Sequence, residues 1–198
     1  MSREEFLTKY WRYYLNIENS VIDLEKYITF DKRNYSCFSD EFIKVIQVIC
    51  SEIDVIAKLI TSKDNMDGYK KFLINDDKYN KIKESKTELQ FHKAIVLSPF
   101  EFIDLVAGLN WWGDYNKIKH NRQKDDNFTK ANLYNVLTSL AALYFLECFY
   151  YHNNYFDAEN RNNDSMPRPK SKLFNSISNI KDNVVESLEG IVYAEWDD

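Results

Sequence analysis

Only 4 glycines and 3 prolines occur among 198 residues. Turn-rich β architecture needs more of both, so long helices are the expected product. The shortage also excludes a glycine-rich phosphate loop and a dinucleotide fingerprint, and no Gly-x-Ser-x-Gly elbow is present. The 3 cysteines, Cys37, Cys50 and Cys148, are odd in number and irregular in spacing, which argues against a disulfide framework. Cys50 and Cys148 lie in apolar helical stretches and read as core thiols. No Cys or His pair has a zinc-site spacing, so neither a metal nor another cofactor is expected. The most apolar stretch, 137–151, is shorter than a bilayer span and contains Glu147. The opening Met1-Ser2-Arg3-Glu4-Glu5 lacks a signal-peptide layout, so a cytoplasmic protein without membrane contact is expected. Positive charge is not in excess either. A formal net charge of −5 excludes a globally basic nucleic-acid binder but leaves room for a local basic patch on an enzyme that must release its product.

What the chain does have is apolar and aromatic side chains, 44% and 16% of the sequence, enough for a packed core. Its mean hydropathy of −0.52 is that of a water-facing fold rather than an integral membrane protein. Ser2 and Glu5 form a capping box, and Phe6, Tyr10, Tyr13, Ile17, Val21, Leu24 and Ile28 recur at helical spacing, predicting one helix to about Tyr27. Ser39 caps a second long helix through Ile60. Two adjacent apolar stripes on it, Phe42/Ile46/Ile49/Ile53/Ile56/Ile60 and Val45/Val48/Val55/Leu59, mark it as the central helix, with Glu52 interrupting the second stripe. A short helix is expected over 66–73, short strand or irregular chain over 89–97, and a helix from Pro99 to Ala107 stopped by Gly108. Asn127 is read as the cap of a last long helix to Tyr151. The organisation expected is a helical domain over 1–152, a mobile polar linker over 153–170 containing Pro167 and Pro169, and a C-terminal appendage over 171–198. Leu173, Phe174, Ile177, Ile180, Val184, Val185, Ile191 and Trp196 carry that appendage's apolar surface.

Candidate chemistry concentrates between Trp111 and Arg122, which reads Trp-Trp-Gly-Asp-Tyr-Asn-Lys-Ile-Lys-His-Asn-Arg. Asp114 can cap a helical turn. Asn116 and His120, four residues apart, share one helix face with Lys119 beside it. Arg122 joins His120 only if the helix ends nearby or a second subunit supplies it. The set suits phosphodiester cleavage without metal. A histidine titrating near neutrality moves the 2′-hydroxyl or leaving-oxygen proton, Lys119 and Arg122 neutralise the phosphate, and Asn116 orients the imidazole. Tyr115 and Trp112 are candidate base-stacking platforms. A plainer account fits the same residues: a surface histidine, tryptophans as core anchors, a solvated lysine face and Glu52 in a structural ion pair.

These residues resemble the HEPN superfamily, helical domains of prokaryotic phage-defence and toxin–antitoxin systems. The resemblance rests on Ser51-Glu52-Ile53-Asp54, Trp111-Trp112, the string Tyr115-Asn116-x-x-Lys119-His120-x-Arg122, and Ala131-Asn132-Leu133 opening a Leu/Ala-rich helix. It implies an all-α bundle of four to five helices with long antiparallel members, commonly a homodimer, in which two copies of the motif face each other and cleave RNA without metal. By that resemblance His120 matches the family histidine and Asn116 the polar residue, with Glu52 behind them holding a cation. Positions 113 to 115, where the family arginine falls, hold Gly113, Asp114 and Tyr115, so Lys119 or Arg122 stands in for it. Two other readings fit the sequence: a non-catalytic helical module that dimerises or binds a cognate protein partner, and an RNA- or nucleotide-binding protein without turnover.

Overall fold

The first helix, α1, contains an irregular turn that decides which of its residues face inward. In the computed structural model, described at residues 1–106, 108–124, 126–156 and 165–176, α1 runs through Arg3–Phe6, a π-helical turn at Leu7–Trp11, and Arg12–Leu24. Ser2 caps it: its hydroxyl accepts from the Glu5 N–H at 3.1 Å, and Glu5 returns the bond to the Ser2 N–H. The π turn inserts a five-residue step, so Trp11 and Tyr14 follow Phe6 into the core in place of Tyr10 and Tyr13. Regular spacing predicts the opposite, and Tyr13 is in fact 43% exposed. The helix ends at Leu24, short of the expected Tyr27.

Helix α2, Asp40–Thr61, starts where expected, with the Ser39 hydroxyl accepting from the Phe42 N–H. Its first stripe is buried as far as Ile56. Its second is not: Val48 and Val55 stand exposed and Glu52 is half-buried. The central element is instead α5, Leu133–Tyr155, which is buried without interruption from Asn135 to Tyr151. It packs most extensively on α2 and also touches α1 and α4. Helix α5 is long and apolar enough to cross a membrane, but 94% of that stretch is buried inside the bundle, as in the core helix of a globular fold. It begins later than Asn127 predicts. A 3-10 turn spans Asn127–Lys130, and Asn132 supplies the cap, while the Leu133 N–H is drawn to the Cys37 carbonyl at 2.9 Å.

Helix α3, Met66–Asn75, follows α2, and a small antiparallel sheet joins two strands from between α3 and α5 to a third after α5. Strand β1, Thr87–Leu89, sits between β2, Val96–Leu97, and β3, Phe174–Ser176. The helix expected from Pro99 is absent. Among the described residues, the backbone hydrogen bonds within that stretch run only from Glu101 to Ser98, Ile103 to Phe100 and Leu105 to Phe102, a chain of single turns that sends Phe100 and Ile103 inward. Ala107, the expected end of that helix, lies outside the described residues. Gly108 does adopt a left-handed φ of 58°. Helix α4, Asn110–Asn121, follows.

Residues 165–176 lie as a strap across the bundle. Of the stretch expected to form a linker, 153–155 continue α5 and Pro167 is buried. The Trp11 indole N–H donates to the Pro169 carbonyl at 2.8 Å, and the Gln90 amide donates to the Ser171 carbonyl at 2.8 Å. Beneath the strap, fully buried Glu18 accepts from the Tyr14 hydroxyl at 2.8 Å, the Ser171 hydroxyl, and the Lys172 N–H at 2.9 Å. The expected apolar positions from Ile177 to Trp196 lie outside the described residues.

Candidate functional site

Helix α4 is fastened to the bundle by Trp111, Tyr115 and Ile118, at four- and three-residue steps along its inner face. The Trp111 indole donates to the Pro99 carbonyl at 2.9 Å, and its ring meets Phe100 and Trp112 edge-on. Trp112 is half-buried and tilts against Tyr115, with ring centroids 5.1 Å apart. Tyr115 is buried, and the Lys119 ammonium sits 5.6 Å from its ring centroid. This corrects the assignment of Tyr115 as a stacking platform: its ring is committed to the core and to Lys119.

On the outer face, Gly113, Asn116, Lys117 and His120 follow one another toward solvent. His120, Lys119 and Arg122 are exposed and Asn116 is half-buried. The expected sharing of a face by Asn116 and His120 is realised because α4 is regular from Asn110 to Asn121. Arg122 is the C-cap and keeps a right-handed helical backbone, so it continues the helix and points away from the face that carries His120. Lys117 is tied to Asp114 at 3.0 Å. Among the described residues, the side chains of His120, Asn116 and Arg122 make no hydrogen bond or ion pair with other protein groups. A single chain therefore presents an open imidazole on the outer face of α4, with Lys119 one position before it and Arg122 at the helix end. No group of three metal-ligating side chains occurs among the described residues.

Neither known protein families, curated proteins nor solved structures match this chain. The functional reading rests on the side chains themselves.

Glu52 does not hold a cation: no Lys or Arg side chain reaches ion-pair distance from it among the described residues. Burial raises its pKa. Its electrostatic neighbour is another acid, Glu147 of α5, which is fully buried and whose two carboxyl oxygens lack hydrogen-bond partners among the described residues. Burial first, and then the charge of Glu52, push the Glu147 pKa well above the usual carboxyl range, so it sits in the core as a neutral acid. Sequence spacing assigned Glu147 no role. The one signal was its presence in the most apolar stretch of the chain. Glu18 was missed as well, because the regular helical period turns Tyr14, four residues before it, away from the core.

A concavity adjoins α4 on the flank away from Lys119. It is an open groove where the first turns of α4 and α5 meet the segment at Tyr35, and it contains Gly113, Asp114, Lys117, Tyr134 and Asn135. Asp114 is fixed there by two donors, Lys117 and the Asn135 amide at 3.1 Å, and Asn135 is itself anchored on the Lys130 carbonyl at 2.8 Å.

Proposed function

We propose that this chain is a HEPN-like, RNA-acting protein of a prokaryotic defence or toxin–antitoxin system, working in the cytoplasm as a metal-independent endoribonuclease. The observation that carries this reading is the outward row of Asn116, Lys119 and His120 on α4, with Arg122 at the end of the same helix. His120 takes the 2′-hydroxyl proton, the freed oxygen attacks the adjacent phosphorus, and the bond to the 5′-oxygen breaks as that oxygen takes a proton from water, leaving a 2′,3′-cyclic phosphate. Lys119 and Arg122 stabilise the charge on the phosphoryl oxygens, and Asn116 orients substrate or imidazole. A homodimer, in which two copies of this row face each other and complete the working site, is part of the proposal.

The other reading is a non-catalytic module that dimerises or binds a cognate protein partner. It is favoured by the absence of an orienting hydrogen bond on His120 among the described residues and of an arginine at positions 113 to 115. Incubating mixed-sequence RNA with the wild type and His120→Ala in EDTA separates the two. Cyclic-phosphate ends made by the wild type and lost in a folded variant support the enzyme. Intact RNA with both proteins supports the module.

A further inference from the structure

The groove on the far flank of α4 combines three features that sequence spacing did not bring together. The first is an exposed aromatic face: Tyr134, in the first turn of α5, is 44% exposed and leans on Tyr35 at a centroid distance of 5.1 Å. The second is a carboxylate held in one orientation. Asp114, its side chain 19% exposed, accepts Lys117 on Oδ1 and Asn135 on Oδ2. A carboxylate has about four lone-pair sites, so one on each oxygen remains for a ligand. The third is room to approach, since a Cβ placed on Gly113 would meet nothing within 4 Å. Glycine inside an exposed helix costs roughly 0.5–1 kcal/mol relative to alanine, and here it leaves the groove wall bare.

We propose that this groove takes one unstacked guanine of the RNA strand whose backbone lies along the outer face of α4. The proposal rests on the reading of that face as an RNA site. Guanine alone among the RNA bases carries two adjacent N–H donors on its Watson–Crick edge, which match the two free acceptor positions of a fixed carboxylate. Uracil's single N–H stands between two carbonyl oxygens that Asp114 repels, and adenine and cytosine offer one donor beside an acceptor. The Tyr134 ring supplies the stacking surface, the role that buried Tyr115 cannot fill.

Fluorescence anisotropy with 5′-fluorescein 2′-O-methyl RNA tests this without cleavage, because the probe has no free 2′-hydroxyl. The probes are a uridine dodecamer and the same strand with one central guanosine or adenosine. The wild type is expected to bind the guanosine probe about tenfold more tightly than the other two. Tyr134→Ala weakens binding of the guanosine probe by about tenfold while Tyr134→Phe restores it, and Asp114→Asn abolishes the preference for guanosine over adenosine. The proposal is overturned if the wild type binds all three probes alike. It is also overturned, with the RNA reading intact, if Lys119→Ala and Arg122→Ala weaken binding but Tyr134→Ala does not. If the wild type binds no probe, the RNA reading falls and the guanine groove falls with it.

Discussion

Helices α4 and α5 use the same residue types for opposite ends. Helix α5 is enclosed almost throughout and admits one acid, Glu147, into a place where no described residue partners it. Helix α4 is attached along one face and leaves its amide, imidazole and cations in water. The contrast teaches that a polar residue in this fold declares a role by its surroundings rather than its type. In α5 the polar atom is a liability of the core, and in α4 it is the surface that a ligand can meet.

The contrast breaks most visibly at the anchor of α4. Trp111→Ala removes a buried indole and its hydrogen bond to Pro99, and should cost about 3–5 kcal/mol in urea unfolding. A loss below 1 kcal/mol would mean that α4 is held by something other than its inner face. Next in size is the latch beneath the strap. Glu18→Ala leaves the Ser171 hydroxyl and the Lys172 N–H without their acceptor, and should cost roughly 2–3 kcal/mol while speeding hydrogen exchange across 165–176. Unchanged exchange there would show that Trp11, Gln90 and the β1–β3 pairing hold the strap without Glu18.

Glu147 gives the opposite sign. Glu147→Met removes two unsatisfied oxygens at similar volume and should stabilise the protein by about 1–3 kcal/mol at pH 8. Because the folded state raises this pKa, it binds the proton more tightly than the unfolded chain does. The wild type's stability from this group is therefore whole below the ordinary carboxyl range and is lost as pH rises through the raised value. The gain from Met should shrink as the pH falls toward 4, and parallel pH profiles for the two proteins would refute the assignment. Smallest of all, His120→Ala should change stability by less than about 0.5 kcal/mol, since the exposed imidazole packs on nothing that the fold requires. A larger loss would place His120 in the scaffold.

Much of the helical framework was legible because local signals agree with the fold. Ser2 and Ser39 cap α1 and α2 as their side chains predict. The failures have identifiable causes. A π turn breaks the helical period, so spacing alone chose Tyr10 and Tyr13 over Trp11 and Tyr14. Ser98-Pro99-x-Glu101 is a sound helix start in isolation, but the tertiary structure uses it as separate turns. On the candidate site, the grouping of Asn116, Lys119 and His120 could be read from the sequence, whereas the approach of Tyr134 and Asn135 to Asp114 could not. Those residues are about twenty positions apart, and only the packing of α5 beside α4 joins them.

The latch on Glu18 also has a consequence in time. Glu18 and Ser171 are 153 residues apart, so a ribosome delivers the first long before the second. Until then α1 has a carboxyl group with only Tyr14 to meet it, and Trp11 has no carbonyl for its indole. A nascent chain halted before residue 171 would expose that aromatic flank to whatever chaperone waits at the exit tunnel. The last described strand is in this sense the closing step of the first helix.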